Sequence, residues 1–396
     1  MAESSDAGLA FKPETMRGAP GFFRVAQAFS GVWWLLDPED RPFVLRAVNG
    51  VRGIPESSND PVARLRSWGF NALGAASDLA LCDDGLPCVL TIGFVESGAA
   101  IRTGDARLPD VYDATWPASA ARRAAGICGP QSGRRELIGW LADDELGWAQ
   151  PGPGGRPALL QICLSLEPGF AAYHAAWEFV LALHGGRLDA LAKAWAQPIT
   201  NKEVLREMTR MERGISTRGY LRDDARWTRE FAHRYFVETG AAIRAHDPRH
   251  LVLGSRFAGR AGAAVLAECQ YPAVDVAWLS PGDFSPTQSG PCVLGDFTWV
   301  SPGFMAPMGT VRSRGLTTVE RMLRRGRAAL ERMAHHPAVV GYAWSRWQDG
   351  LGEQPPFASG LVHANDAEAR EHTELLAQVN SRLQPLRAAA APRPTP

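Results

Sequence analysis

The chain has 396 residues, of which 45% are hydrophobic and 21% are charged, a composition typical of folded proteins and not of disordered ones. Its 42 Lys and Arg residues balance its 42 Asp and Glu residues, so no net field attracts nucleic acid or anionic membranes, and neither is expected as a partner. A single domain of this length is possible, because α/β barrels with insertions reach 400 residues.

The two ends of the chain lack a hydrophobic period. Residues 1–20 and 387–396 are rich in Ala, Pro, Ser and Arg, which predicts tails that are flexible or bound to the surface. Residues 1–20 contain no apolar run of the kind found in secretory signals, and no stretch of the chain approaches twenty apolar residues. We therefore expect a cytoplasmic protein with no membrane partner.

Between the tails, residues 21–386 contain no linker and are predicted to form one domain. Residues Phe22–Asp37 alternate in polarity and contain several aromatics, and the turn-forming sequence DPEDRP leads on to PFVLRAVNGV. This pattern predicts a short N-terminal hairpin that closes the floor of a barrel.

Short apolar runs then alternate with helical segments, the pattern of parallel strands joined by crossover helices. The fold class predicted is therefore α/β, a (β/α)8 TIM barrel. The eight predicted strands are Val44–Val51, Asn71–Ala75, Val89–Val95, Leu137–Ala142, Leu251–Phe257, Val274–Leu279, Cys292–Phe297 and Val339–Trp344. The clearest helices are Pro61–Trp68, Ala118–Ala125, Asp223–His246, Thr318–His335 and Ala367–Leu386.

One spacing is irregular, because strand four ends near Glu145 and strand five begins near Leu251. The long intervening segment contains helical and aromatic stretches, which predicts a helical insertion at about 150–220. Since βα loops lie on the catalytic face of such barrels, the insertion either shapes a substrate cleft or is a peripheral decoration.

The six cysteines are dispersed, with no CxxC pair and no neighbouring His at metal-ligand spacing. They are interpreted as reduced, mostly buried thiols. We expect no metal and no cofactor.

Acidic residues follow two of the predicted strands. In LIGWLADDELGW (137–148) the strand ends in Asp143, Asp144 and Glu145, and in PCVLGDFTW (291–299) it ends in Asp296. Crowded carboxylates beside an apolar wall such as Trp140 can include one whose pKa is high enough for a general acid. Helix capping and turn formation are the structural alternatives. Cleavage of a glycosidic bond requires two such carboxyls across one cleft.

A third segment, VVGYAWSRWQDG (339–350), predicts a strand that places Trp344, Trp347 and Asp349 at the mouth of the barrel. An indole there can pack against a sugar ring, and Asp349 can hold hydroxyl groups or orient a neighbour. Core packing explains Trp344 equally well.

With these segments in view, the chain resembles the agarase-like glycoside hydrolases of the clan A barrels. LIGWLADDELGW is similar to the strand-four motif of that family, in which an Asp-Asn-Glu run ends in the acid/base glutamate. The supporting stretches, in family order, are WWLLDPEDRPFVLRAVNGV (33–51), WGFNALG (68–74), LDALAKAWA (188–196), HDPRHLVLGSRF (246–257) and GYAWSRWQDG (341–350).

The resemblance implies that Glu145 is the acid/base and that Asp296 stands where the family has a nucleophilic Glu. An Asp is one methylene shorter, which withdraws the carboxylate by roughly 1–1.5 Å, and about 1 Å of misplacement can cost a hundredfold in rate. Three readings follow: a shifted backbone lets Asp296 attack directly, a wider gap admits water and gives inversion, or the chain binds sugar without cleaving it. The middle Asn of the family run is also replaced, by Asp144.

The expected activity is hydrolysis of an O-glycosidic bond in a galactan-like oligosaccharide or polysaccharide, with retention favoured over inversion. The alternatives are an impaired carbohydrate-binding barrel and a transglycosidase. Asn49 and Arg256 match polar residues that line such clefts, and Arg256 is also positioned to pair with Asp296. The full set of expected substrate-binding residues is Asn49, Asp144, Trp140, Arg256, Trp299, Trp344, Trp347 and Asp349. The sequence contains no indication of an oligomeric state.

Overall fold

The computed structural model describes residues 9–53, 59–149, 158–210, 214–299, 319–350 and 359–390. The first sheet along the chain is small and antiparallel. Its strands are β1 (Arg24–Gln27), β2 (Trp33–Leu36) and β3 (Pro42–Phe43). The predicted hairpin is therefore confirmed, with a third strand added after the DPEDRP turn.

Ten further strands follow. They are β4 (Leu45–Val48), β5 (Ala72–Leu73), β6 (Cys88–Thr91), β7 (Ala100–Thr103), β8 (Ala106–Pro109), β9 (Leu137–Leu141), β10 (Leu251–Val252), β11 (Ala277–Leu279), β12 (Cys292–Phe297) and β13 (Val339–Trp344). Strands β7 and β8 form a separate antiparallel hairpin that was not predicted. The other eight coincide with the eight predicted strands, although several are shorter because their ends pass into loops.

Those eight strands form one parallel sheet in the order β10-β9-β6-β5-β4-β13-β12-β11. Its two edges are joined by backbone hydrogen bonds: the N–H of Asp275 donates to the carbonyl of Val252 at 2.8 Å, and the N–H of Trp278 donates to Leu253 at 3.2 Å. The sheet is thus curled into a TIM-like barrel, as the alternation of apolar and helical segments predicted.

Helices cover the outside of the sheet. Within the described ranges they are α1 (Pro61–Ser67), α2 (Trp116–Gln131), α3 (Leu159–Ser165), α4 (Ala171–Leu183), α5 (Leu188–Trp195), α6 (Lys202–Thr209), α7 (Arg218–His246), α8 (Ala263–Leu266), α9 (Val319–Ala334) and α10 (Arg370–Ala388). Several of these helices begin at a residue whose side chain caps the helix N-terminus. Asp60 accepts the N–H of Val62 ahead of α1, and Thr217 accepts the N–H of Tyr220 ahead of α7.

The segment between β9 and β10 contains helices α3 to α7. Helices α3, α4 and α5 all pack against the long helix α7. The predicted insertion limits of 150 and 220 fall close to these helices, although residues 150–157 and 211–213 lie outside the described ranges.

The core has two parts, because successive side chains of a strand point to opposite faces of the sheet. The barrel interior holds side chains such as Leu141, Leu253 and Trp278 together with Trp33 and Leu35 of β2. The N–H of Trp33 donates to Pro337, just before β13. The small sheet therefore lies across the N-terminal ends of the barrel strands and forms its floor.

Two expectations at the ends of the chain change in detail. Residues 9–20 lie along β1, where Arg17 and Val25 exchange backbone hydrogen bonds, so this part of the predicted tail is bound to the surface. At the other end α10 continues to Ala388. The buried Arg387 donates to the carbonyls of Trp33 and Pro337, so the predicted tail boundary at 387 falls inside a helix.

The interpretation of the cysteines was wrong for one pair. Cys82 and Cys88 are joined in a disulfide, with their Cα atoms 6.0 Å apart. The connection between β5 and β6 brings the two cysteines together. No sequence motif indicated that they pair. The remaining four cysteines are free and buried, as expected.

Candidate active site

Glu145 and Asp296 line the same cavity, which has a volume of about 570 Å³. Glu145 follows β9 and Asp296 lies near the end of β12, so both come from the C-terminal end of the barrel, where βα loops build the active sites of this fold. Loops after β10 and β11 complete the described part of the wall. The lining residues are Glu145, Arg256, Phe257, Ala258, Gly259, Arg260, Ser280, Pro281, Gly282 and Asp296.

Asp296 occupies a bulge in β12. Leu294 pairs with Tyr342 and Phe297 pairs with Trp344, so β12 has one residue more than β13 across this interval. The backbone of Asp296 is left-handed, with φ of 54°, a conformation rare for a residue with a side chain. Bulges redirect side chains locally, and here the redirected side chain is the carboxylate of the candidate site.

The residue before it allows the bulge to pack. A Cβ atom on Gly295 would lie 1.9 Å from Nε1 of Trp278, which is buried in the barrel interior. No larger residue fits at Gly295 unless this indole moves. The sequence GDF therefore combines a required glycine with the carboxylate that it positions.

Glu145 also has left-handed backbone, with φ of 53°, and its side chain is exposed. The residues around it are tied to the chain after β10. The N–H of Leu146 donates to the carbonyl of Arg256 at 2.9 Å, and the N–H of Arg256 donates to Asp143 at 3.0 Å. Positive φ values at non-glycine residues are common at functional sites, and both candidate carboxylates have them.

Arg256 bridges two of the carboxylates. Its Nε lies 3.1 and 3.3 Å from the two carboxylate oxygens of Asp296, and its Nη1 donates to Asp144 at 2.5 Å. Burial lowers the pKa of Arg256, but the charges of Asp296 and Asp144 outweigh this effect and the net shift is upward. The contact between Arg256 and Asp296 is the one expected from the sequence.

Asn49 completes the surroundings of Asp296. It is buried, its Oδ1 accepts the N–H of Ala75 at 3.0 Å, and its Nδ2 donates to Asp296 Oδ1 at 3.3 Å. The bond from Ala75 fixes the orientation of the amide and so directs its donor at the carboxylate. Asn49 was predicted to line the cleft, and it contacts one of the two candidate catalytic residues.

Among the three consecutive acids Asp143, Asp144 and Glu145, it is Asp143 that has a strongly raised pKa. Burial raises it to about 7, although the Tyr235 hydroxyl and the Val95 N–H both donate to the carboxylate and favour its ionised form. Tyr235 in turn contacts Ser255 at 2.9 Å. Burial also raises the pKa of Asp144, while the positive charge of Arg256 acts in the opposite direction. The sequence showed the crowding but not which carboxyl is buried.

Four tryptophans expected to contact sugar do not line the described part of the cavity wall. Trp140, Trp299, Trp344 and Trp347 are at most 2% exposed and belong to the core between barrel and helices. The indole N–H of Trp140 donates to Asp247 at 2.8 Å. Such burial does not support contact with sugar, and core packing, the alternative given for Trp344, describes all four side chains.

Asp349 is likewise a structural residue. Its Oδ1 accepts the N–H of Gly360 at 2.6 Å and its Oδ2 contacts Nδ1 of His363 at 2.8 Å. It is 8% exposed and does not line the described wall of the cavity. Its contacts hold together two segments of the chain after β13, so the predicted role in sugar binding is not supported.

Sequence reasoning missed three residues in and beneath the site. Tyr235 lies on α7 far along the chain from Asp143, Ser255 precedes Arg256, and Arg260 lies on the cavity wall in a loop with no motif. Only Ser255, within HDPRHLVLGSRF, belonged to a stretch that carries the family resemblance. In the described ranges no residue of α3 to α6 lines the cavity, and no group of three His, Cys, Asp or Glu is arranged to hold a metal ion.

None of the described helices is long and apolar enough to cross a membrane. No family model matches the sequence. The chain is 29% identical over 212 residues to beta-agarase A from Vibrio sp. (strain JT0107), an alignment that spans 50% of this chain and 21% of that protein.

Solved structures with the same fold include an exo-beta-agarase, with a TM-score of 0.69 and 16% identity over 94% of this chain and 66% of the other. A second agarase has a TM-score of 0.67 and 17% identity over the same shares of both chains. A beta-galactosidase from Rahnella sp. R3 has a TM-score of 0.50 and 15% identity over 89% of this chain and 57% of the other. The chain thus resembles agarase-like glycoside hydrolases in sequence over half its length and in fold over nearly all of it.

Proposed function

We propose that this protein hydrolyses an O-glycosidic bond in a galactan-like oligosaccharide or polysaccharide. The observation that carries the proposal is the shared cavity of Glu145 and Asp296, which brings together two acids 151 positions apart in the chain. Both are accessible from the cavity, since Glu145 is exposed and the side chain of Asp296 is 26% exposed. Such a pair is the minimum that glycosidic cleavage requires.

The two carboxyls have different surroundings, which suits different roles. Asp296 receives hydrogen bonds from Arg256 and Asn49, and these compensate the negative charge of a nucleophile or a water-activating base. Within the described ranges no hydrogen bond holds the Glu145 side chain, which leaves it available to the leaving oxygen. We assign Glu145 as general acid/base and Asp296 as its partner.

The bulge in β12 favours direct attack over the alternatives. An Asp is shorter than the Glu expected at this place, and a bulge with left-handed backbone re-aims the side chain of Asp296. We infer that this change of direction offsets the missing methylene. Direct attack forms a glycosyl-enzyme ester while Glu145 protonates the leaving oxygen. Water deprotonated by Glu145 then cleaves the ester, and the product retains its anomeric configuration.

The similarity to beta-agarase A and to the solved agarases supports the substrate class. The matched region amounts to 21% of beta-agarase A. Galactan hydrolysis is therefore tested directly, with neutral agarose-type oligosaccharides as the first panel.

An NMR time course of the anomeric signals released from each oligosaccharide tests the proposal, because it detects cleavage and stereochemistry together. We expect product of retained configuration from the wild type and from the control Glu178→Gln, an exposed carboxylate on α4. Glu145→Gln should release no product while keeping the circular dichroism spectrum of the wild type. Cleavage by Glu145→Gln at the wild-type rate would remove Glu145 from the mechanism.

A carbohydrate-binding barrel without hydrolysis is the second candidate. It is favoured by the bridge between Arg256 and Asp296, since a carboxylate held by a guanidinium is a weaker nucleophile than an unpaired one. Isothermal titration calorimetry on the same panel separates the two candidates. Tight binding of an oligosaccharide, with no cleavage of any member of the panel by the wild type, would support the binding protein and contradict hydrolysis.

A further inference from the structure

Arg260 lies on the wall of the cavity, in the loop after β10, and its side chain is exposed. In the part of the chain that the structure describes, no acceptor is hydrogen-bonded to its guanidinium and no carboxylate is paired with it. A Cβ atom on Gly282 would lie 3.3 Å from Nε of Arg260. The side chain therefore lies against Gly282, which also lines the cavity. Its positive charge is accessible to a ligand in the cavity.

The loop that carries Arg260 is fixed to its neighbour. The carboxylate of Asp283 accepts the N–H of Ala261 at 3.2 and 3.1 Å and the N–H of Gly262 at 3.4 Å. The same carboxylate accepts the hydroxyl of Ser280 at 2.9 Å, and Ala261 is fully buried. These bonds fix the backbone next to Arg260, so the attachment point of its side chain is set before any ligand arrives and less backbone entropy is lost on binding.

Two half-buried acids at the site, Asp144 and Asp296, do not depend on Arg260 for a partner. Arg256 already pairs with both Asp144 and Asp296. A second arginine in the same wall is exposed and has no partner among the described residues, so it is available to a ligand. A guanidinium offers a planar fork of donors that matches two oxygens of a sulfate or carboxylate, and it recognises a neutral hydroxyl much less selectively.

We propose that Arg260 forms a subsite for an anionic substituent, a sulfate ester or a carboxylate, on the polysaccharide that enters this cavity. The inference rests on the proposed function for the sugar itself, and it adds that the preferred galactan is charged. The anion is held at the loops after β10 and β11, beside the bond that Glu145 and Asp296 would cleave.

Calorimetric titration separates this proposal from the proposed hydrolysis, because binding is measured without turnover. The ligands are three galactan tetrasaccharides of the same backbone: one neutral, one with a sulfate ester and one with a carboxylate. The proteins are Glu145→Gln, to prevent cleavage, and the same variant with Arg260→Gln, Arg260→Lys or the control Arg222→Gln. Arg222 is an exposed residue of α7 that does not line the cavity.

We expect at least one anionic ligand to bind about tenfold more tightly than the neutral one, equivalent to about 1.4 kcal/mol. The advantage should shrink at high salt, disappear in Arg260→Gln, persist in part in Arg260→Lys and be unchanged in Arg222→Gln. The ligand with the larger advantage identifies the substituent.

Equal affinity for the neutral and both anionic ligands, absence of binding by the anionic ligands, or an anionic preference that survives Arg260→Gln would each overturn the subsite. Failure of the wild type to cleave any of the three sugars would overturn the proposed hydrolysis instead, and would leave the binding result for Arg260 intact.

Discussion

The guanidinium of Arg256 contacts both carboxylate oxygens of Asp296, through Nε at 3.1 and 3.3 Å and through Nη2 at 2.9 Å from Oδ1. The arrangement fixes the plane of the carboxylate as well as its position, because two donors of a rigid group hold it. With the left-handed backbone beneath it, the direction of the Asp296 side chain is determined from both ends.

Loss of this contact should impair both turnover and stability. Arg256→Gln leaves Asp144 and Asp296 close together without their shared cation, and we expect kcat/KM to fall about a hundredfold. The free energy of unfolding should fall by about 1–3 kcal/mol. Arg256→Lys should recover only part of either, because a lysine cannot bridge two carboxylates with the same geometry.

Urea unfolding and turnover measurements on the double variant Arg256→Gln/Asp144→Asn provide the control. Removing the charge of Asp144 relieves repulsion, so stability should be partly regained while activity stays low. Wild-type turnover in Arg256→Gln would contradict the positioning role of this residue.

Lengthening the carboxylate tests whether the bulge compensates for the short side chain. If Asp296 is already advanced by its backbone, Asp296→Glu pushes the carboxylate about 1 Å too far, and kcat should fall tenfold to a hundredfold. The measurement is kcat on the most rapidly cleaved oligosaccharide, with circular dichroism to check the fold. A gain in activity in Asp296→Glu would instead identify the natural Asp as a defect of an impaired barrel.

The packing of Gly295 against Trp278 predicts a local stability effect. Gly295→Ala forces a methyl group into the indole, and overpacking of this kind costs about 1–3 kcal/mol. Gly290→Ala is the matched control in the loop before β12, where a Cβ meets nothing closer than 3.9 Å, and it should change stability by less than about 0.5 kcal/mol. Equal urea midpoints for the two variants would show that the indole does not constrain this bulge.

The buried Asp143 should make stability depend on pH. Its pKa rises from 3.8 to about 7 on folding, so the folded state binds a proton that the unfolded state releases between these values. The corresponding stability is fully present below about pH 4 and is lost as pH rises towards 7. Asp143→Asn cannot ionise, so the pH slope of its unfolding free energy should be flatter across this window.

Urea unfolding of the wild type and Asp143→Asn at several pH values from 4 to 7 measures this slope. Tyr235→Phe is the companion variant, because it removes a donor that favours the ionised carboxylate, and it should move the pH-dependent window upward. Parallel pH profiles for wild type and Asp143→Asn would show that the carboxyl is ionised in the folded protein across the range.

The barrel was predictable because its signal is repeated along the chain. Strands β12 and β13 have their predicted limits, and both runs are largely apolar. The β7–β8 hairpin was missed because its strands, Ala100–Thr103 and Ala106–Pro109, are only four residues long and each contains an arginine. The disulfide was missed for a different reason, since Cys82 and Cys88 meet only when the barrel connection folds.

The candidate site was predictable where polar residues end strands, as at Glu145, Asp296, Asn49 and Arg256. It was not predictable where the facing of a side chain decides its role. Trp140 and Leu141 are neighbours on β9, so their side chains point to opposite faces of the sheet. The indole of Trp140 points to the helices, and Leu141 points into the barrel. Aromatic content alone cannot distinguish a buried tryptophan from one that stacks on sugar.

The central claim is that Glu145 protonates the leaving oxygen of a bond that Asp296 attacks. The most direct measurement compares first-turnover cleavage by Glu145→Gln of an unmodified oligosaccharide and of its 2,4-dinitrophenyl glycoside, whose leaving group needs no proton. The account predicts a loss of about 10²–10⁴-fold for the unmodified sugar and a loss of less than about tenfold for the dinitrophenyl glycoside, since no protonation step is removed there. Equal losses on both substrates, or no loss on either, would contradict it.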